Sequence, residues 1–322
     1  MLFSIIIPVR NRATLVERTL QCVVAQTYRP LQVVLVDNDS TDGTLDTLLA
    51  FKTLHESADL QVVVAQESHH TAGAARNRGF SKATGEWVIF FDSDDEMDPQ
   101  LVQSYADCIE KADGDLDLIS AKSTLRFASG NERPAPFHTH DIIANHILHG
   151  QLATQRYAVR RSFFGGTDGW NIDLPRWNDY ELGLRLLLAA PRMGYLKQDH
   201  VTIHHYGTDS ITGRDFYHSH GQLEYVLAVM LNEVACSQLK PKYRLRFSRL
   251  LEYRRIVLAA HYEREGHPEL AKPLCLLAYG RLGASYGNSR RWRWWTGPMV
   301  QRLFSNIVHR RRGAARVARL LF

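Results

Sequence analysis

Three carboxylates delivered together at the end of an apolar run are the feature of this sequence best suited to chemistry. The run WVIFF, ending at Phe91, passes directly into Asp92-Ser93-Asp94-Asp95. Carboxylates crowded on one turn repel each other, and a hard divalent cation such as Mg2+ or Mn2+ relieves that repulsion while bridging phosphate oxygens. Taken alone, the string is also what a solvated surface turn looks like. Its place directly after a buried strand is what favours a metal and a phosphate. A second polar cluster, Asp37-Asn38-Asp39-Ser40-Thr41-Asp42-Gly43-Thr44, follows LQVVLV, where short side chains can accept from a ribose or a nucleobase edge. A turn and a helix cap account for Ser40 and Gly43, but not for Asp37 directly after the strand. A third cluster, Gly73 to Gly79, puts Arg76 and Arg78 where a helix begins. An arginine there can meet a diphosphate, although an ordinary helix start has the same pattern.

These clusters need a scaffold that brings strand ends to one edge. The first 125 residues alternate short β-branched runs with helical patterns, the form of βαβ units around a mainly parallel sheet. Strands are predicted at Phe3 to Ile7, Gln32 to Val36, Gln61 to Ala65, Glu86 to Phe91 and Asp117 to Ala121. Leu15, Leu20, Val23 and Val24 give one helix an apolar face, Thr44 to Leu54 suggests a second with Ser40 as its cap, and Ala74 to Ala83 a third. In open α/β sheets ligands bind beyond the carboxyl ends of the strands. Residues 129 to 170 lose this periodicity and gather glycine, proline and histidine, as loops over a site do. An amphipathic helix returns from Asp179 to Ala190, and after about Phe216 the pattern is helical throughout.

Taken in order and spacing, IIIPVRN, VDNDSTDGT and AGAARNRGFSKATGEWVIFFDSDD resemble the family 2 glycosyltransferases. The similarity is clear over residues 3 to 120 and extends through WNDYELGLRLL at 177 to 187. The resemblance implies an α/β fold of the GT-A type, Rossmann-like with a mainly parallel sheet and helices on both faces, followed here by a C-terminal helical region. It implies inverting transfer from a nucleotide-sugar, with Pro8 and Asn11 at the nucleotide pocket, Asp37 and Asn38 beside base and ribose, and Arg76 near the diphosphate. Asp92, Ser93 and Asp94 match the family's DxD motif, with Asp94 the direct metal ligand and Asp95 close by. Asn38 stands where aspartate is common in the family, which leaves the donor base open. The family's base is an acid at a helix start with an arginine six residues later, which here falls on Asp179 with Arg185. Helix capping is the competing account of Asp179. Such enzymes also place a histidine near the metal after a later strand, giving His204 or His205, with His205 preferred.

The expected boundaries are 1–215 for the catalytic domain, with a nucleotide-binding part to about 125 and an acceptor part to 215, and 216–322 for the helical region. Net charge is +5, but residues 281–322 hold ten arginines and no lysine, aspartate or glutamate, so the remainder is −5. That excludes a global nucleic-acid binder. The four cysteines are scattered without zinc or disulfide spacing, and no run reaches the ~20 apolar residues of a membrane span. A cytoplasmic protein is expected. In the tail, Trp292, Trp294 and Trp295 interleave with arginines ahead of Val300, Leu303, Phe304 and Ile307. The pattern suits peripheral contact of residues 290–322 with an anionic membrane, with packing on the catalytic domain or a local nucleic-acid patch as the competing accounts.

The reading is thus an enzyme moving a sugar from a UDP-, GDP- or dTDP-sugar, with Mn2+ or Mg2+, to a hydroxyl of a glycan or lipid-linked glycan in cell-surface polysaccharide synthesis. A nucleotidyltransferase shares the acidic metal site but normally carries a glycine- and lysine-rich loop near the first strand, which PVRNRATL lacks. A non-catalytic nucleotide-sugar or membrane-binding module is the alternative of a different class.

Overall fold

The computed structural model describes residues 1–205, 215–287, 289–309 and 314–322. The chain forms two compact units, one of residues 1–139 with 151–213, the other of residues 140–150 with 214–322.

The first half runs β1 (Phe3–Val9), α1 (Val16–Val24), β2 (Leu31–Asp37), α2 (Thr44–His55), β3 (Leu60–Gln66), α3 (Ala72–Phe80), β4 (Trp87–Phe90), β5 (Glu96–Met97), α4 (Leu101–Lys111), β6 (Leu118–Phe127) and β7 (Glu132–Pro134). After α5 (Ile142–His149), which belongs to the second unit, come β8 (Tyr157–Arg160), α6 (Arg161–Gly165), α7 (Asn178–Leu188) and β9 (Met193–His205). The sheet order is β3-β2-β1-β4-β8-β6-β9-β5, with β7 paired to β6. The first four strands are mutually parallel. Every residue of β2 is buried, as expected of a parallel strand covered on both faces, and this is why it reads as one apolar run. Val16, Leu20 and Val23 form the stripe that seats α1.

Two glycines and one proline shape the edge where the clusters lie. A Cβ at Gly79 would strike Ile6 Cγ2, so glycine lets α3 lie close on β1. Gly43, at φ +85°, is the N-cap of α2. The hydroxyl expected to cap it, that of Ser40, instead accepts from the backbone N–H of Asn11 at 3.0 Å. Pairing of β1 with β4 stops at Ile6 opposite Phe90, whereas pairing with β2 continues through Pro8 and Val9. Pro8, which has no N–H to give, sits past the ladder with β4, where the two strand ends part.

The structure is more regular between 129 and 170 than its composition suggests. There β8 enters between β4 and β6, antiparallel to both. Four residues flanked by polar ones give too short a period to identify.

The second unit is helical. Asp141 takes a two-pronged bond from Arg246 Nη1 and Nη2, each at 2.7 Å, and Ala144 and Ile147 of α5 are buried. These contacts join α5 to α9 (Pro241–Arg264). The unit also holds α8 (Gln222–Cys236), α10 (Pro268–Ser285), a π-helical turn at Trp292–Thr296, α11 (Gly297–Val308) and α12 (Ala314–Leu321). Trp292 and Val300 pack with Ile256, Ala278 and Leu282, and Phe304 lies against them. The apolar stripe of the tail is therefore spent on this unit's own core. Among the described residues no helix is long and apolar enough to cross a membrane.

Candidate active site

The acidic turn is fixed at both ends by backbone pairing. Phe91 N–H donates to Ile6 O at 2.9 Å, and β5, directly after the turn, pairs antiparallel with β9. Between these anchors Asp92, Asp94 and Asp95 have different surroundings. Asp92 Oδ1 accepts from Arg76 Nη2 at 2.6 Å. Asp94 is partly buried, and its backbone oxygen accepts from Arg18 at 2.6 Å. Burial first, then the charge of Asp92, raises its carboxyl above the ordinary 3.8, against the pull of Arg12. Ser93 is buried between them. Asp95, expected among the ligands from its place in the turn, is 2% exposed. One of its oxygens takes the N–H of His204 at 2.7 Å, and the other takes the Gln155 amide. Burial, reinforced by Asp92 and Asp94, pushes its carboxyl well up.

Arg76 is the cation of this group. It is 5% exposed, its guanidinium lies 4.4 Å over the Trp170 ring, and its Nε and Nη1 have no hydrogen-bond partner among the described residues. Asp179, in the first turn of α7, feels both Arg76 and Asp92. Its carboxyl is raised mainly by burial, with Arg76 opposing and Asp92 adding. Asp179 Oδ1 accepts from Tyr180 N–H at 2.8 Å, while the N-cap position belongs to Trp177, at φ +55°. Asp179 is thus not the N-cap itself, but its carboxylate still satisfies a first-turn N–H of α7. One loop sets α3 and α7 together. Asn77 of α3 exchanges two 2.8 Å bonds with the backbone of Trp170. Arg185 of α7 donates to Gly169 O at 2.7 Å and holds the buried Glu181 by two bonds.

At the neighbouring strand ends, Asn11 bridges the loops after β1 and β2, its Oδ1 accepting from Thr41 N–H at 2.9 Å. Asn38 donates to Glu67 O and His69 O at 3.0 and 2.8 Å, which pins the end of β3. Asp37 is 1% exposed, and its Oδ1 has no donor among the described residues. A buried carboxylate oxygen lacking a donor is costly and points to a ligand that supplies one.

Strand alternation sends the two histidines to opposite faces of β9. His204 meets Glu96 Oε1 at 2.8 Å, and His205 stacks on Phe127 with ring centroids 5.2 Å apart. Burial, the first cause in each, holds both rings toward the neutral form that can ligate a metal. Among the described residues, no three His, Cys, Asp or Glu side chains stand close enough to cage an ion unaided. Asp92 and Asp94, two carboxylates on one turn, are the kind of oxygen donors that a hard cation takes together with waters and substrate phosphates.

Sequence reasoning missed Gln155, Trp170 and Tyr157. The buried Tyr157 hydroxyl has no partner among the described residues, and its ionisation is disfavoured first by burial, with Arg76 and Asp179 nearby. Only β8, itself unseen in the sequence, could have pointed to it.

A parallel sheet flanked by helices and continued by strands of mixed direction, with an acidic turn at the end of β4, is the GT-A architecture. In TarS residues 1–349 from S. aureus, in complex with UDP-GlcNAc, the same fold recurs with a TM-score of 0.68 over 88% of this chain and 81% of that one, at 19% identity. The mannosyltransferase PcManGT from Pyrobaculum calidifontis, in complex with GDP-Man and Mn2+, gives 0.55 over 99% and 86%, at 18% identity. The glycosyl transferase family 2 profile matches residues 4–157. A PGL/p-HBAD biosynthesis glycosyltransferase from Mycobacterium bovis is 34% identical over 189 residues, 57% of this chain and 69% of that protein. The chain belongs to glycosyl transferase family 2. In two further curated glycosyltransferases, 32% and 31% identical, it spans only 38% and 39% of their length.

Proposed function

We propose that this protein transfers a sugar, with inversion, from a nucleoside-diphosphate sugar to a hydroxyl of a glycan or lipid-linked glycan during cell-surface polysaccharide assembly. The observation that carries the reading is the buried Arg76, which bonds Asp92 and acts electrostatically on the buried Asp179, and this supports Asp179 as the base. Asp179 takes the acceptor hydroxyl's proton as that oxygen attacks the anomeric carbon and the bond to the diphosphate breaks. Arg76, with its charge fixed in a dry setting, orients Asp92 and faces the developing negative charge. Asp37, Asn38, Asn11 and Pro8 receive the nucleoside, with the uncommitted Asp37 oxygen accepting from it.

Asp94 and Asp92 would hold the divalent metal, with the neutral His205 imidazole as the nitrogen ligand and Asp95 shaping the turn behind them. When bound, the metal supplies charge neutralisation for the departing nucleoside diphosphate. The UDP-GlcNAc, GDP-Man and Mn2+ of the two structural neighbours support this donor class and this kind of cation. The amylovoran and teichuronic acid biosynthesis names among the relatives support a polysaccharide product.

A screen of UDP-, GDP- and dTDP-sugars with Mn2+ or Mg2+, read by donor turnover and by thermal stabilisation, tests the reading. Asp94→Ala and Asp179→Asn are each expected to cut kcat by about 100-fold or more without unfolding the chain. Turnover at the unaltered rate in both variants removes the assignment. Release of pyrophosphate from a nucleoside triphosphate indicates a nucleotidyltransferase, and donor binding without turnover indicates a binding module.

A further inference from the structure

Three tryptophans lie within four residues of the arginine-rich end, and the fold treats them differently. Residues 290–308 form one helical run with a π-helical turn, Trp292–Thr296, near its start. Trp292, Thr296, Val300 and Leu303 are buried on the inward side. Trp294 is 75% exposed and Trp295 72%. A π-helical turn changes the register of side chains around the axis, and here one indole turns into the core while its two neighbours turn out. Met299 and Pro298 are exposed one turn further on, and Arg290, Arg291, Arg293 and Arg302 are exposed around them. No acidic residue occurs between 281 and 322.

Two neighbouring indoles left in water are unfavourable, and an apolar band of this kind marks a surface that something else covers. We propose that the outward face carrying Arg291, Arg293, Trp294, Trp295, Met299 and Arg302 docks on an anionic lipid bilayer. Indoles settle at the boundary between head groups and acyl chains, while guanidinium groups meet lipid phosphates. Charge complementarity selects the occupant, since this segment is uniformly cationic whereas the rest of the chain is net acidic. Val300 packs in the unit's own core and Leu303 is buried, so among the described residues of this run the two indoles, Pro298 and Met299 are the exposed apolar side chains left to enter the boundary. Attachment is therefore shallow, reversible and weakened by salt.

The proposal does not rest on the glycosyl-transfer reading. It is tested by floating the whole protein with vesicles of equimolar phosphatidylcholine and phosphatidylglycerol, and with vesicles of phosphatidylcholine alone. At ~0.1 M salt the protein is expected to float with the anionic vesicles only, and to be released as salt rises past the range where surface charges are screened. A Trp294→Ala/Trp295→Ala variant should lose partitioning by about tenfold or more, and Arg293→Glu/Arg302→Glu should abolish it. Both should keep the parent's circular dichroism, melting temperature and any donor turnover in solution, which separates failure of the surface from failure of the enzyme assignment. A parent protein that stays in the buffer, or variants that float as well as the parent, overturn the proposal. So does tighter binding to a nucleic-acid duplex than to vesicles, or a dimer that the tryptophan variant converts to monomer with no vesicle binding by either form.

Discussion

Arg76 illustrates how one side chain can serve the fold and, in the proposed reaction, the chemistry as well. Its guanidinium is buried, stacked on Trp170 and bonded to Asp92, with Asp179 in range. Removing it leaves Asp92 without its 2.6 Å partner and Asp179 without the positive charge that opposes its burial. Arg76→Ala is expected to lower stability by about 1–3 kcal/mol, the cost of stranding a partly buried charged group, measured by urea unfolding. A loss of activity with no change in stability would instead confine Arg76 to substrate contact. The carboxylates also set a pH dependence. Burial raises Asp94, Asp95 and Asp179 above the ordinary 3.8, so the folded chain keeps these protons to higher pH than the unfolded chain. Their contribution to stability is full below about 3.8 and is lost as pH rises through the raised values. Metal binding needs the ionised form, so the rise in melting temperature caused by Mn2+ should grow from mildly acidic to neutral pH. A Mn2+ effect that is flat, or greatest in acid, would contradict a cation held by Asp92 and Asp94.

The elements show where sequence alone suffices. The four parallel strands and the first three helices are legible because long apolar runs and a 3.6-residue period each have one economical reading. The strand ends were therefore found, and with them Asp37, Arg76 and the acidic turn. What escaped depends on contacts distant in sequence. Ser40 has the chemistry of a cap, but Gly43 reaches the required conformation and the hydroxyl goes to Asn11. Tyr157–Arg160 looks like loop because its partners, Trp87–Ile89 and Leu118–Ser120, lie far from it along the chain. Gln155 bonds Asp95 across 60 positions, and no local pattern announces it. Replacing that amide tests how firmly the turn is held: Gln155→Leu should cost about 1–3 kcal/mol, because a buried carboxylate loses a donor with little change in volume. The loss should shrink in acid, where Asp95 is neutral. An equal loss at every pH would place the effect in packing instead.

Over the whole molecule, the paired strands and the helical unit use the same residue types for different ends. Arginine braces α7 through Glu181 and Gly169, fastens α5 to α9 through Asp141, and stands uncovered beside Trp294 and Trp295. Composition alone reported only a basic tail; the separation of an inward stripe from an outward one required the packed helices. The bond from His204 N–H to Asp95, which spans 109 positions, also bears on biosynthesis. Proteins are made from the amino end and domains tend to fold as they emerge. The carboxylates of the acidic turn thus leave the ribosome long before the strand that covers one of them. Until about two hundred residues have been made, Asp95 lacks the N–H of His204, so this edge of the sheet is completed late in synthesis although its arginines are already present.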